Sequence, residues 1–247
     1  ANMLILGVVR LGIEYSWDVT TFGKVSLALS ISNFMMFFIN AMGLVMFPLL
    51  RRSSQENLKD IYIILRDILV SLFLLVLVLY YPIKMFLLSW LPQYNDSIIF
   101  LGIIFPLFFF DGKLAVLVNS YLKTLRQERL MLKISCMSLG FSLVLTIFAT
   151  QIFKSLYLTA VVILLLVSLR NVIAEYYLSI KLQISIWKDV FLELIVITLF
   201  VLICVLIESW LVVFMHLVIY LVYLMIKRKD LKRSFFVAYN MMKTRII

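Results

Sequence analysis

Seven long apolar runs dominate this sequence, and each is close to the length that a helix needs to cross a lipid bilayer. A helix rises about 1.5 Å per residue, so about 20 apolar residues cross the ~30 Å hydrocarbon layer. Hydrophobic residues make up 64% of the chain and charged residues only 15%, so a water-soluble fold would leave much apolar surface wet. The runs cover roughly residues 24–49, 66–90, 98–122, 132–153, 156–180, 190–208 and 210–226.

Helices are the expected form of these runs. The runs do not alternate between apolar and polar residues as the strands of a membrane barrel do, and a helix satisfies its own backbone groups in lipid. Residues 1–13, ANMLILGVVRLGI, are too few to span the bilayer and suggest the end of a truncated helix. The sequence therefore predicts an all-α, polytopic transmembrane helix bundle of about seven full helices plus a truncated N-terminal helix. We expect a bundle over 1–226, a basic cytoplasmic tail over 227–247, and a chain that is part of a longer protein.

Basic residues indicate how the bundle is oriented. Loops on the cytoplasmic side of a membrane protein are enriched in Lys and Arg. Four segments at alternate ends of the runs hold 17 of the 23 Lys and Arg residues: 51–66, 123–133, 181–188 and 227–247. The opposite set of loops holds only Lys24, Lys84 and Lys154. This asymmetry predicts a multi-pass membrane protein with a cytoplasmic C-terminus.

The formal net charge of +10 follows from the same asymmetry. Nucleic-acid binding is not expected, because no basic face with interleaved aromatic residues stands apart from a membrane segment. Anionic membrane lipids are the natural partners of the basic C-terminal segment. Cys136 and Cys204 both lie inside apolar runs and favour buried thiols over a disulfide or a metal site. No cofactor is expected, and function must lie between the helices.

Asp111 and Lys113 are ionisable residues inside an apolar run, PLFFFDGKLAVL. A charge near the bilayer centre costs roughly 3 kcal/mol or more, which makes such residues functional candidates. Two positions correspond to about 200° around a helix, so the two side chains need different partners. Asp111 is interpreted as a helix-packing acid or as a site of ion or proton coupling. Lys113 is interpreted as a cation that extends to the headgroups or as a residue that lines a substrate cavity.

Arg170 lies in a second apolar run, LLLVSLRNVIAEYY, together with Glu175. An arginine does not lose its proton, so it needs a carboxylate, a phosphate or water. We expect Arg170 and Asp111 to lie at similar depth and to approach each other or a shared aqueous cavity. Glu175 is a second candidate for ion or proton coupling.

Arg10 and Glu14 are four residues apart in the first helix. This spacing fits an interfacial ion pair, and Arg10 alternatively fits a cavity-lining cation that receives an anionic substrate. His216 is interpreted as a packing residue. Pro48 and Pro106 are expected to mark a helix end and a kink.

Two segments resemble polysaccharide-biosynthesis flippases of the multidrug/oligosaccharidyl-lipid/polysaccharide exporter superfamily. The first is TTFGKVSLALSISNFMMFFINAMGLVMFPLLRR, with Phe22, Gly23 and Ser26 near its start and Phe47-Pro48 near its end. The second is NSYLKTLRQERLMLKISCMSLGFSLVLTIF, which has a basic turn between two helices. The resemblance covers roughly residues 15–225. Members have 12 or 14 helices in two lobes, so this chain corresponds to the second lobe plus the C-terminal helix pair, without the first lobe.

The resemblance implies flipping of a polyprenyl-diphosphate-linked oligosaccharide across the bacterial cytoplasmic (plasma) membrane, by alternating access rather than enzymatic catalysis. The implied partners are this substrate and a missing N-terminal lobe of the same transporter. No charged motif of the family carries over, so the candidates follow from their place inside apolar runs. Cations that would meet the diphosphate are Arg10, Lys113 and Arg170, and coupling candidates are Asp111 and Glu175.

Two alternatives remain open at the level of sequence. The first is an integral-membrane polymerase or transferase, although such enzymes usually need a large polar loop or clustered acids and histidines. The second is a drug or ion exporter on the same fold, since a fold alone does not fix the substrate.

Overall fold

The computed structural model describes residues 2–51, 57–92, 95, 97–207 and 211–246. This described part is almost entirely helical and contains no β-strand, so the all-α prediction is confirmed. The helices are α1 (Asn2–Ser16), α2 (Val19–Arg51), α3 (Leu58–Val76), α4 (Tyr80–Trp90), α5 (Ser97–Ile104), α6 (Leu107–Lys113), α7 (Asn119–Thr124), α8 (Glu128–Ile147), α9 (Leu156–Leu182), α10 (Trp187–Leu206), α11 (Leu211–Ile226) and α12 (Arg228–Ile246).

Six stretches of the described residues are long and apolar enough to cross a membrane. A seventh candidate consists of α11 and the first part of α12, which meet at a bend of 66°. The six stretches are Val19–Leu44, Leu58–Trp90, Ile98–Thr124, Glu128–Ile152, Leu156–Leu182 and Trp187–Leu206. They agree with the predicted runs to within a few residues, with one exception. The second begins at Leu58 rather than near residue 66. Arg66, which the sequence placed at the boundary between a basic loop and a run, therefore lies well within a span.

Several spans are built from more than one helix. The 3₁₀ turn Leu77–Leu79 joins α3 to α4, and the π-helical turn Leu114–Val118 joins α6 to α7. Between α5 and α6 the helix is interrupted at Pro106, which has no N–H to donate to the preceding turn. Pro106 thus interrupts the helix, and Ile98–Thr124 is still one candidate span. The prediction that Pro48 marks a helix end is wrong by three residues, because α2 continues to Arg51.

The span Ile98–Thr124 forms the centre of the bundle. Its most apolar stretch is 94% buried, whereas the corresponding stretches of the other five spans are 22% to 56% buried. Helices α2, α9 and α10 pack against its first part, α5. The charges in its buried part, Asp111 and Lys113, must therefore find their partners inside the protein.

Tight turns bring the neighbouring helices together. Arg126, Lys154 and Gln183 have positive φ angles of 54°, 44° and 53°, in the left-handed conformation that commonly ends a helix. Ser155 caps α9 by accepting a hydrogen bond from the Leu158 N–H at 3.3 Å. The turns at Arg126 and Gln183, with Lys227, define what we call the basic end of the bundle, and the turn at Lys154 lies at the opposite end.

The C-terminal segment that the sequence predicted as a basic tail is helical over Arg228–Ile246. Helix α12 folds back and packs against α3. The hydroxyl of Ser234 donates to Oδ2 of Asp67 at 2.9 Å, which fixes the start of α12 to the bundle. This segment is therefore an ordered element at the basic end.

Candidate functional site: a buried ion-pair network

Four charged side chains from four helices form a closed ring inside the bundle. Arg66 of α3 and Lys113 of α6 supply the cations, and Glu175 of α9 and Glu193 of α10 supply the carboxylates. Arg66 contacts Glu175 through Nε at 2.7 Å and Glu193 through Nη2 at 2.5 Å. The ammonium of Lys113 lies 2.6 Å from Oε2 of Glu175 and 2.5 Å from Oε2 of Glu193. Each charge of this ion-pair ring therefore has two partners of opposite sign.

The ion-pair ring is almost completely shielded from solvent. The side chains of its four members are between 0% and 4% exposed. Removing charges from water costs several kcal/mol per ion, and only well-placed opposite charges and hydrogen bonds offset that cost. Two cations and two carboxylates in alternation leave no net charge, so the ring is compatible with the apolar interior.

Two tyrosines complete the surroundings of the ion-pair ring. The hydroxyl of Tyr62 donates to Oε1 of Glu175 at 2.8 Å. The ring of Tyr62 packs edge-on against that of Tyr121, with centroids 5.1 Å apart. The hydroxyl of Tyr121 donates in turn to the backbone carbonyl of Leu58 at 3.2 Å. These contacts fix the beginning of α3 and therefore the position of Arg66.

Helix geometry explains why the four ring members meet. Arg66 and Glu193 lie about 12 Å and about 9 Å along their helices from the start of α3 and of α10 at the basic end. Glu175 lies about 12 Å before the left-handed Gln183 that ends α9. The three helices thus present charges at similar depth from one end. Lys113, on the central span, provides the second cation at this level.

A second layer of ion pairs connects the ring to the basic end. Asp189 lies 3.1 Å from Nη1 of Arg66 and 2.7 Å from the ammonium of Lys227. Lys227 also pairs with Asp67 at 3.2 Å. Lys227 lies at the bend between α11 and α12, so these contacts latch α12 onto the bundle.

A cavity of about 340 Å³ opens beside this second layer. Both acidic and basic side chains line this cavity, and the exposed basic ones are Lys59 and Arg233. Arg66 reaches the cavity wall, but carboxylates already occupy Nε, Nη1 and Nη2 of its guanidinium. The lining residues are Lys59, Tyr62, Ile63, Arg66, Asp67, Gln183, Ile184, Ser185, Ile186, Asp189, Lys227, Asp230, Arg233 and Ser234.

Asp111 and Arg170 form a separate charged site on the other side of the central span. The two side chains are buried and interact electrostatically. Next to them, the Asn171 amide donates to the backbone carbonyl of Phe110 at 2.9 Å, which joins α9 to α6. The structure thus supports the hypothesis that Arg170 and Asp111 approach each other. It also confirms that Asp111 and Lys113, two positions apart, have different partners.

The other predicted site residues have mixed outcomes. The interpretation that Lys113 extends to the headgroups is wrong, because its ammonium is buried between two glutamates. Lys113 and Glu175 were proposed for different roles, but the structure places them in one ring. Arg10 is half-buried and Glu14 is exposed, and no ion pair joins these two described residues. His216 packs edge-on against Phe200 with ring centroids 4.7 Å apart, in agreement with a packing role.

Sequence reasoning missed Arg66, Glu193, Asp189 and Lys227 as site residues. Arg66 and Lys227 were counted as loop cations because they lie at the ends of apolar runs. Asp189 and Glu193 are four residues apart and therefore share one face of α10. That pair of acids at the start of an apolar run was the signal for a buried cationic partner. Among the described residues, no group of three or more His, Cys, Asp and Glu side chains is arranged to hold a metal ion.

Comparison of the chain with protein-family models, with curated proteins and with solved structures found no match. The arguments for function therefore rest on the site and on the surfaces of the bundle.

Proposed function

We propose that this protein belongs to a transporter that flips a polyprenyl-diphosphate-linked oligosaccharide across the bacterial cytoplasmic membrane for surface polysaccharide synthesis. The observation that carries the proposal is a polar stripe on an outward face of α2. Ser30, Asn33 and Asn40 are exposed on this helix, although all three lie within the apolar span Val19–Leu44. Their spacing of three and seven residues puts them on one face.

The two asparagines of this polar stripe are unsuited to contact with lipid, whereas the hydroxyl of Ser30 donates to the backbone carbonyl of Ser26 at 2.8 Å. Asn33 is about 21 Å along the span from Val19 and about 16 Å from Leu44, which is near mid-membrane. An amide without a hydrogen-bond partner in hydrocarbon costs several kcal/mol. Water, a polar solute or another helix must therefore meet this face. A hydrated path for a sugar, lined on its far side by a second lobe, satisfies the requirement, and a missing N-terminal lobe is the proposed partner.

The ion-pair ring supports the same proposal because it ties four helices into one rigid body. Alternating access is largely the rocking of one rigid bundle against another around a central site. Buried ion pairs among α3, α6, α9 and α10 resist sliding of these helices against one another. They favour movement of this bundle as one body, so Lys113 and Glu175 are proposed to maintain the lobe rather than to touch substrate.

The diphosphate of the substrate needs cations that are not already paired with carboxylates. Arg10 is half-buried on α1, and Lys59 and Arg233 are exposed at the basic-end cavity. Charge-assisted contacts between such cations and phosphate are short and strong. We propose Lys59 and Arg233 for first contact at the cytoplasmic side and Arg10 for contact within the path. In this conformation Arg170 interacts with Asp111, so we propose that it contacts substrate only after that pair separates.

Deletion of the gene tests the function. We expect the deletion strain to accumulate the lipid-linked oligosaccharide on the inner leaflet, measured by access of the sugar to an impermeant glycosidase in oriented vesicles. Normal flipping with altered polymer length would instead indicate a polymerase or transferase. Drug sensitivity without any change in lipid-linked sugar would indicate an exporter of another substrate.

Variants of the stripe test the observation that carries the proposal. We expect Asn33→Leu and Asn40→Leu to lower flipping at least tenfold while the protein is still made and inserted. The matched control is Phe141→Leu, a change on the exposed face of α8 that should leave flipping within twofold of wild type. Full activity of the Asn33→Leu and Asn40→Leu double variant would contradict a polar path along α2.

Single engineered cysteines test the proposed orientation. In a variant with both native cysteines replaced by serine, Lys154→Cys should react with an impermeant maleimide from outside the cell. Glu128→Cys should react only after the membrane is permeabilised. Both positions are exposed at turns between helices, so the reverse result would place the basic end outside and reject a cytoplasmic C-terminus.

A further inference from the structure

A second cavity, at the end of the bundle opposite the basic end, has the composition of a lipid site. It has a volume of about 470 Å³ and lies between α4, the start of α5, the end of α10 and the start of α11. Ligand sites of this size are usually apolar with a few placed polar groups. Apolar walls are provided by residues such as Ile98, Val205 and Val212.

Lys84 is the only charged side chain among the described residues that line this cavity. It is half-buried, and none of the described carboxylates pairs with it. Its ammonium acts electrostatically on the thiol of Cys204, which also interacts with the hydroxyls of Tyr80 and Tyr81. The cavity is therefore lined by one cation with neutral polar groups beside it and by the amide side chain of Asn95, and its other lining side chains are apolar.

The position of Lys84 along α4 matches the depth of a lipid headgroup. Six residues, or about 9 Å, separate it from Trp90, where α4 ends. The hydrocarbon layer is ~30 Å thick, and the headgroup layers bring the membrane to ~40–45 Å. An ammonium at this depth lies near the boundary between the two layers. The described cations near this end of the bundle are Arg10, Lys24, Lys84 and Lys154, and of these Lys84 lines the cavity.

We propose that this cavity, which we call the Lys84 cavity, binds one anionic phospholipid. The phosphate pairs with Lys84, the hydroxyls of Tyr80 and Tyr81 lie beside the headgroup, and a hydrocarbon chain follows the apolar walls. Charge complementarity selects the anionic headgroup, because the described lining offers one cation and no acid. The proposal concerns a site far from the ion-pair ring and does not depend on the proposed transport function.

Binding of two lysolipids with the same chain tests the headgroup requirement. The full-length protein in a neutral detergent is titrated with lysophosphatidylglycerol and with lysophosphatidylcholine, and the bound lipid is counted by native mass spectrometry. We expect one lysophosphatidylglycerol to bind at least tenfold more tightly than lysophosphatidylcholine. Equal affinities would overturn the proposal, as would displacement of the lipid by millimolar inorganic phosphate, which would identify a simple anion site.

Substitutions of Lys84 locate the site. Lys84→Gln should remove the tenfold preference, Lys84→Arg should keep it, and Lys154→Gln, a change at the same end of the bundle, should leave it unchanged. If Lys84→Gln does not fold, the lipid preference of the Lys84→Arg variant and the reactivity of the Cys204 thiol test the assignment instead.

Protection of Cys204 is a second test of the location. In a Cys136→Ser background, lysophosphatidylglycerol should slow alkylation of Cys204 at least fivefold, and lysophosphatidylcholine should not. An unaltered preference in Lys84→Gln, or unaltered alkylation of Cys204, would overturn the assignment to this cavity.

Discussion

The ammonium of Lys113 lies 2.6 Å from Oε2 of Glu175, and the two residues are far apart in sequence on α6 and α9. Neither side chain is more than 1% exposed. Two helices of the bundle are thus joined through a pair of charges that lipid and water do not reach. Glu193 and Arg66 close the ring on the other side, so the stability of four helices depends on its charge balance.

Neutralising one member of the ring should be much more harmful than neutralising two. Lys113→Met leaves Glu175 and Glu193 to share Arg66, and an unpaired buried charge costs about 3–5 kcal/mol. We expect a large drop in melting temperature in detergent. The Lys113→Met and Glu193→Met double variant keeps the Arg66 and Glu175 pair. Its loss of unfolding free energy should therefore be about 1–3 kcal/mol smaller than the sum of the losses in the two single variants.

The control for this comparison is Lys154→Met, which removes a lysine from an exposed turn and should leave the melting temperature nearly unchanged. Additive effects of the two ring substitutions would show that Lys113 and Glu193 contribute independently. That outcome would contradict a closed ring.

Exchange of Asp111 and Arg170 tests the second buried pair. Asp111→Arg alone places two arginines together, and Arg170→Asp alone places two carboxylates together; like charges in the interior repel strongly. We expect each single variant to be poorly expressed and the double exchange to recover at least half of the wild-type yield of folded protein. A double variant that is no better than either single change would remove the support for pairing.

The sequence predicted the spans well because span length depends on local hydropathy alone. Five of the predicted runs match helical stretches of the structure closely, and a sixth begins eight residues earlier than predicted. The error at the start of α3 has a physical cause. Lys59, Asp60, Arg66 and Asp67 lower the local hydropathy, yet Arg66 and Asp67 are buried because their partners come from other helices.

The ion-pair ring was not predictable from one sequence. Its contacts join positions separated by 62 to 127 residues, and they depend on how each helix is rotated about its axis. The residue types and their place in apolar runs identified Lys113 and Glu175 as buried charges. They did not indicate that these two would be each other's partners, nor that α12 would fold back onto α3.

Gly112 is a test of packing between the central span and its neighbours. A Cβ at this position would lie 2.8 Å from Cδ1 of Ile39 and 3.2 Å from Cε2 of Phe73. Gly112→Ala should therefore lower the free energy of unfolding by about 1–3 kcal/mol through overpacking. Gly140→Ala is the matched control, because a Cβ there meets nothing within 4 Å and alanine favours a helix by about 1 kcal/mol.

Shortening the side chain of Ile39 distinguishes overpacking from other causes of destabilisation in Gly112→Ala. The Ile39→Ala and Gly112→Ala double variant should be more stable than the Ile39→Ala single variant, since the new methyl group fills part of the cavity. Both variants are compared by thermal unfolding in the same detergent. If Gly112→Ala is as stable as Gly140→Ala, the contact between α2 and the central span is looser than the structure indicates.

The ion pairs of Lys227, at the bend between α11 and α12, should determine how stably α12 packs against the bundle. Lys227 pairs with Asp67, Asp189 and Asp230, and Asp67 also accepts the hydroxyl hydrogen of Ser234. Lys227→Gln removes three ion pairs at once and leaves the buried Asp67 without its cation. We expect faster hydrogen exchange over 228–237, with unchanged exchange over Ile98–Thr124, because the loss affects the end of the bundle and not its centre. The control is Lys229→Gln, which removes an exposed lysine two positions away and should leave hydrogen exchange over 228–237 as in wild type. Equal acceleration in both variants would assign the effect to net charge and contradict a role for the ion pairs of Lys227.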